Sequence, residues 1–282
     1  MTAPSAGLLF VVSTPIGNLG DMTYRAVETL KSVELICAED TRHVRKLLDR
    51  YQITTRVASY HEHNEARSTP KLVERLTSGQ HIALVTDAGT PLVSDPGQRL
   101  VAAAIAAGVQ VVPIPGPSSV LAALVASGMD TTMFTFVGFL PRSGVDRQRV
   151  LSRLSGLDHT SVIFESAPRL AATLQDLAAT GVSDRRVAIA RELTKHHEEV
   201  RRGTVAELGA YYRDNAARGE VVIVLEGRGA ESEAPDEAAV QERARSLQAQ
   251  GMRTKDVVAA LMNEFGIARN RAYRITQQEE DR

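Results

Sequence analysis

Residues 84–97 read Leu84-Val85-Thr86-Asp87-Ala88-Gly89-Thr90-Pro91-Leu92-Val93-Ser94-Asp95-Pro96-Gly97, an apolar strand breaking into a loop of small residues with two carboxylates eight positions apart. The run His81–Thr86 is short and apolar, as a buried parallel strand should be, while Gly89, Pro91, Pro96 and Gly97 forbid its continuation. The chain must turn there with its backbone exposed. Asp95-Pro96-Gly97 then opens an apolar run predicted as a helix over 98–107, with Asp95 expected as N-cap and Pro96 at the first helical position. Open α/β sheets bind ligands outside such carboxyl strand ends.

Working outward, further strand-like runs occur at Leu8–Ser13, Val33–Ala38, Arg56–Tyr60 and Val109–Ile114, with helical patterns between them. This is a βαβ series. One helix is expected from near Asp21, carrying Ala26, Val27 and Leu30 on one face, and another from Thr69-Pro70, carrying Leu72, Val73 and Leu76. Pro113-Ile114-Pro115-Gly116-Pro117-Ser118 is too rich in proline for regular structure and marks a joint. A second set of strands is predicted near Met133–Phe139, Thr160–Glu165, Arg186–Ala190 and Glu220–Leu225, with helices starting at Pro168 and at Thr204, where Thr204-Val205-Ala206-Glu207 has capping-box spacing. Gly227–Pro235 reads as a linker, and three helical patterns follow at Asp236–Gln250, Thr254–Phe265 and Ala268–Gln278, the last two joined around Gly266. The expected organisation is an α/β domain over 1–115, a second over 116–228, and a basic helical segment over 236–282.

With 282 residues, 43% of them hydrophobic, the chain can bury two such cores. Its single cysteine, Cys37, cannot form an internal disulfide, which points to a reducing compartment and to a small core residue in its strand. The first seven residues carry no basic run leading into an apolar one, and no apolar run reaches membrane-spanning length, so a cytoplasmic location without membrane association is expected. Net charge is only −1, yet its distribution is uneven. Arg42, Arg45, Lys46 and Arg50 cluster around a lone Asp49, and Arg253, Lys255, Arg269, Arg271 and Arg274 outnumber Asp256 and Glu264; Glu231, Glu233, Asp236 and Glu237 lie between. Such clusters are solvated helix faces or local phosphate-binding surfaces.

Several polar motifs sit at predicted strand ends. Ser13-Thr14-Pro15-Ile16-Gly17-Asn18-Leu19-Gly20 is a tight loop with neither a G-x-G-x-x-G pattern nor a P-loop lysine. Ala38-Glu39-Asp40-Thr41-Arg42 and His61-Glu62-His63-Asn64-Glu65 follow the next two strands, and in a parallel sheet these ends share one edge. The two histidines lack the H-E-x-x-H spacing or paired cysteines of a zinc site, so acid/base or hydrogen-bonding roles fit better than a metal. Ala190-Arg191-Glu192-Leu193-Thr194-Lys195 places three charges past an apolar run: Arg191 and Glu192 read as a surface ion pair, and Lys195 with His196 and His197 as a phosphate-facing loop.

Taken together, Thr14–Leu19, Ala38–Arg42, His63–Glu65, Asp87–Pro91 with Asp95–Gly97, Pro115–Ser118 and Arg191–Lys195 resemble, in order and over nearly the whole chain, the bacterial 16S ribosomal RNA (cytidine-2′-O)-methyltransferases of the tetrapyrrole methylase, or class III methyltransferase, superfamily. Each motif is weak alone; six in register are specific. The resemblance implies two α/β domains with S-adenosylmethionine held in the cleft between them, a homodimer, and as substrate the 2′-hydroxyl of a cytidine in the decoding region of the small ribosomal subunit. Carried over, the cofactor loops are Pro15, Ile16 and Gly17; Asp87, Ala88, Gly89 and Pro91; Pro115, Gly116, Pro117 and Ser118; the strand end Phe164, Glu165 and Ser166; and Ala190, Arg191, Glu192 and Leu193. Glu62 stands where such proteins commonly carry an aspartate.

The implied chemistry is in-line displacement of a methyl group by an alcohol oxygen, which asks for alignment and removal of one proton and for no metal. Asp40, His63 and Glu65 are the expected proton acceptors or relays, Lys195 and Arg42 hold phosphate near the target ribose, Asn64 binds substrate, and Arg269 and Arg271 dock RNA. Two other readings remain open: methylation of a tetrapyrrole, which the basic C-terminal helices disfavour, and a non-catalytic RNA-binding module that keeps a cofactor pocket.

Overall fold

The computed structural model describes residues 6–228, 237–265, 267 and 269–280. They fall into two compact units, Met1–Gly227 and Arg228–Arg282. The first unit holds two five-stranded sheets. In one, β1 (Leu8–Val12), β2 (Leu35–Ala38), β3 (Val57–Ser59), β4 (Ile82–Leu84) and β5 (Gln110–Ile114) run all-parallel in the order β3-β2-β4-β1-β5. Both faces are covered, which is why the strands are continuous apolar runs. Successive side chains alternate: Leu9, Leu35 and Cys37 pack with Leu72, Leu76 and Leu100 of α3 (Glu65–Thr77) and α4 (Gln98–Ala106), while Val12, Ile36 and Ala38 pack with Ala26 and Leu30 of α1 (Tyr24–Ser32) and Val44, Leu47 and Leu48 of α2 (Thr41–Arg50). Cys37 is that core residue, and burial pushes its thiol up to about 12.

Two expected helix starts and one expected cap move in this sheet's helices. The first helix begins at Tyr24, not near Asp21, because Leu19–Asp21 forms a separate 3-10 turn and the Thr23 hydroxyl caps the Ala26 N–H. The third begins at Glu65 and keeps Pro70 inside it, since the His61 and Asn64 carbonyls already organise the preceding turn. Asp95 is not the cap of α4: Gly97, with φ of +132°, takes that position, and Pro96 lies outside the helix. A side chain there would meet Leu84 at 2.6 Å, so glycine is required for the loop to return against β4.

The second sheet joins β6 (Phe134–Phe139), β7 (Thr160–Ser166), β8 (Arg186–Arg191), β9 (Glu199–Thr204) and β10 (Glu220–Leu225) in the order β6-β7-β10-β8-β9, with only β6 and β7 parallel. The helix α5 (Ser119–Ser127) covers one face through Val120, Ala123 and Leu124, and α6 (Gly144–Gly156), α7 (Leu170–Leu177) and α8 (Val205–Asp214) cover the other. The 3-10 turn Ala167–Arg169 precedes α7, where the helix had been expected from Pro168. Thr204 caps α8 in the expected capping box.

The second unit contains α9 (Glu237–Ala249), α10 (Thr254–Phe265) and α11 (Arg269–Glu280), packed on Val240, Leu247, Val257, Leu261, Ala272 and Ile275. The linker expected at Gly227–Pro235 lies almost entirely outside the described residues, as do the acidic positions Glu231, Glu233 and Asp236 and the turn at Gly266. Among the described residues no helix is long and apolar enough to cross a membrane.

Candidate active site

All five strands of the first sheet point one way, so the loops after β1, β2, β4 and β5 emerge along one edge. They are tied together there. Thr14 and Gly89 exchange backbone hydrogen bonds (2.8 and 3.0 Å), the Thr14 hydroxyl donates to the Thr86 carbonyl at 3.1 Å, and the Ser13 and Thr90 hydroxyls lie 3.0 Å apart. Asp87 accepts the backbone N–H of Asp40 at 3.1 Å and so joins the ends of β4 and β2. Gly116 crosses Ser13 so closely that a Cβ would come within 3.0 Å of the serine's own. Gly89 has φ of +84° and lies against Ile16.

A cavity of about 370 Å³ opens at this edge, inside the range of small-molecule sites (~300–1,000 Å³). Ile16, Ala88, Gly89 and Thr90 from the first sheet's loops, Ser118 and Val120 at the start of α5, and Phe164, Glu165, Ala190, Leu193 and Val222 from the second sheet line it. Of the residues expected to hold a cofactor, Ile16, Ala88, Gly89, Ser118, Phe164, Glu165, Ser166, Ala190 and Leu193 therefore line one cavity. Pro15, Gly17, Asp87, Pro91, Pro115, Gly116, Pro117, Arg191 and Glu192 are not among the residues that line it. Val93, Ser94, Asp95, Phe139 and Gly219 to Val221 also line the cavity, and the sequence had not singled them out as cofactor contacts. For Asp95 the signal was present but read as a helix cap.

The polar wall is set by a buried network. Glu165 accepts from the Ser166 N–H (2.8 Å) and the Thr173 hydroxyl (2.7 Å), with the Arg169 guanidinium 3.4 Å away. Arg147, itself buried, donates to Thr173 at 3.0 Å and pairs with Asp176 at 2.7 Å. At the end of β4, burial holds the Asp95 carboxyl above the usual range; the adjacent Thr86 hydroxyl acts the other way and the Asp87 charge adds to the rise. Burial raises Glu39 likewise, with Asp95 and Asp87 adding to it.

The remaining expected site residues stand apart from the lining. Asp40 caps α2, accepting the N–H groups of Arg42 (2.8 Å) and His43 (3.4 Å), and these bonds hold its carboxyl below the usual range. Arg42 is 92% exposed. His63 is exposed, its ring edge-on to His61 at 5.9 Å, and Glu65 pairs with Arg99 at 3.2 Å. Asn64 is occupied with its own turn, accepting the His61 N–H and donating to the Ser59 carbonyl. Arg191 pairs with Glu199 at 2.7 Å and Glu192 with Lys195 at 2.9 Å, so the ion pair expected of Arg191 and Glu192 is replaced by one to the edge strand β9 and one within the loop. Lys195 is held by Glu192 (2.9 Å) and Glu220 (3.1 Å), and its stem lies over Gly17, where a Cβ would come within 2.5 Å of it. Arg269 and Arg271 lie on α11 in the second unit, Arg269 exposed.

Residues 8–209 match the family described as Tetrapyrrole (Corrin/Porphyrin) Methylases. The chain is 45% identical over 271 residues to a protein of Synechocystis sp. named Ribosomal RNA small subunit methyltransferase I, covering 96% of this chain and 97% of that one. A protein of the same name from Escherichia coli O157:H7 is 39% identical over 278 residues, 98% and 96% of the two chains. Among solved structures, a cobalt precorrin-4 methyltransferase aligns with a TM-score of 0.58 at 19% identity over 78% of this chain and 94% of its own, and a diphthine synthase with 0.60 at 16% over 79% and 90%. Those two likenesses establish the fold. The chain belongs to the tetrapyrrole methylase family, in the same lineage as the ribosomal RNA small subunit methyltransferase I proteins.

Proposed function

We propose that the chain transfers the methyl group of S-adenosylmethionine to the 2′-hydroxyl of a cytidine in the decoding region of 16S rRNA. The observation that carries the reading is the cavity at the carboxyl edge of an all-parallel sheet, in a chain that is 39–45% identical to proteins named for small-subunit rRNA methylation. Its walls suit such a cofactor. Ile16, Val120, Phe164, Leu193 and Val222 offer apolar surface for a planar base, Gly89 leaves backbone open where a side chain would project, and the Ser118 and Ser166 hydroxyls offer polar partners for hydroxyl and amino groups.

When bound, S-adenosylmethionine supplies a methyl carbon already activated by a sulfonium. The chain's own work is then to orient the acceptor oxygen, exclude water and take one proton. Arg42 and the exposed face of α2 fall on the substrate side of this scheme, with Lys195, His63, Asn64 and Glu65 around the same edge. Pro15, Gly17, Asp87, Pro91, Pro115, Gly116, Pro117, Arg191 and Glu192 shape and brace the cofactor loops. Arg269 and Arg271 dock RNA from the second unit. The reading divides the chain into α/β domains at 1–115 and 116–228 and a helical segment at 236–282, which the separate cores of the two sheets support. It includes a homodimer working in the cytoplasm on 16S rRNA, free or within the 30S subunit.

Calorimetric titration with S-adenosylmethionine, followed by incorporation of labelled methyl into 30S subunits lacking this modification, tests it. Saturable cofactor binding and label on one cytidine ribose of 16S rRNA are expected. Label on a tetrapyrrole and none on rRNA, or RNA binding without transfer, would replace it with one of the other readings.

A further inference from the structure

Three carboxylates line the cavity, and two of them are already satisfied. Glu165 is buried and engaged by Ser166, Thr173 and Arg169. Glu220 is largely exposed and paired with Lys195. Asp95 is the third. It is half-buried, makes no ion pair among the described residues, and is faced by the Thr86 hydroxyl and the Asp87 charge from the end of β4 and by Glu39 from the end of β2, with His61 acting on Glu39 from beyond.

The loop that presents Asp95 is strained. Leu92 and Ser94 both have positive φ (+73° and +66°), conformations that side-chain-bearing residues rarely adopt. Strain of this kind collects where a group must be aimed. Ser94 also reaches the second sheet, where a Cβ at Gly138 would lie 3.3 Å from its hydroxyl. The residue before Asp95 therefore lies close to both sheets.

We propose that Asp95 is the group that accepts the proton of the methyl-accepting hydroxyl. The assignment rests on the cavity being the methyl donor's site, as read above. As the ribose oxygen bonds to the methyl carbon, its hydrogen passes to an Asp95 carboxylate oxygen. The carbon–sulfur bond breaks with its electron pair left on sulfur, discharging the sulfonium, and Asp95 then releases its proton to solvent. An unpaired carboxylate among other negative charges is a stronger base than one held by a cation or by N–H donors. Asp40, His63 and Glu65 stand outside the cavity lining, and two of the three are engaged elsewhere: Asp40 by its cap and Glu65 by Arg99.

Single-turnover methylation of 30S subunits, with cofactor affinity measured in parallel by calorimetry, tests the assignment. Asp95→Asn should keep cofactor affinity, lower the transfer rate by roughly 10²–10⁴, and lose the acidic limb of the pH–rate profile. Asp95→Ala should regain part of its rate on addition of formate, a carboxylate small enough to enter the vacated space. A near-normal rate in Asp95→Asn, a retained acidic limb, a loss of cofactor affinity that accounts for the rate loss, or no formate rescue would each overturn it. Wild-type protein that binds the cofactor yet leaves 30S subunits unmethylated would overturn the functional reading and the assignment together, so the two failures are distinguishable.

Discussion

At the scale of single residues, the walls of the cavity depend on backbone positions that tolerate little. Gly89 combines a φ of +84° with Ile16 at van der Waals contact, so Gly89→Val should cost about 1–3 kcal/mol in stability and abolish cofactor binding while the protein still folds. Thermal unfolding and calorimetric titration of the variant check both parts. Asp95 has the opposite energetics. Its carboxyl is raised in the folded state, so its charge opposes folding at neutral pH, and that cost disappears only below its unfolded value near 3.8. Asp95→Asn is therefore expected to have a higher urea midpoint than wild type at pH 7, with the gap closing as the pH falls towards 3.8. Arg147 lies deeper, serving Asp176, Thr173 and the Pro141 carbonyl at once. Arg147→Met should lose about 2–3 kcal/mol in urea unfolding, less than the ~3–5 of a fully buried pair because Asp176 is 40% exposed.

At the scale of elements, what could be read from the sequence was whatever burial enforces. The strands of the first sheet are covered on both faces, so Leu35–Ala38 and Ile82–Leu84 had to be apolar runs and were legible within a residue or two of their ends. Glu220–Leu225 was legible to the residue. The strand Glu199–Thr204 was missed because Glu-Val-Arg-Arg-Gly-Thr is an edge strand, paired with β8 alone and stabilised by ion pairs to Arg191 and Arg201. Asp95 was misassigned because Asp-Pro-Gly has the local chemistry of a helix start, whereas the tertiary return of Gly97 against Leu84 decides the cap. Local propensity also pointed away from Glu65 as a helix start, since a proline follows five residues on. On α11, Arg269, Arg271 and Arg274 have no ion pair among the described residues, unlike Arg243 and Arg253, which pair with Glu264 and Asp256. Reversing Arg269 and Arg271 to glutamate should weaken rRNA binding and reduce its salt slope by roughly 0.7–0.9 per lost contact. Cofactor affinity should stay the same, and filter binding across a salt series reads the effect.

At the scale of the whole molecule, the second sheet's charged rim sets the response to acid. Lys195 and the Glu220 N–H hold Glu192 below its usual range, and Arg191 does the same for Glu199. Carboxyls depressed in this way contribute stability above their unfolded value near 4.5 and lose it as pH falls through the folded value. Urea midpoints should therefore drop below about pH 4.5, and Lys195→Met should remove part of that acid sensitivity. The Lys195 stem resting on Gly17 has a kinetic meaning as well. The chain passes between the sheets once, through 115–118, and this contact adds a further fastening between them. A pocket whose two sheets are joined by a hinge and a latch exchanges its contents only as fast as the latch lets go. Gly17→Ala would force that latch apart, and stopped-flow displacement should show faster dissociation of the spent cofactor with a smaller change in equilibrium affinity.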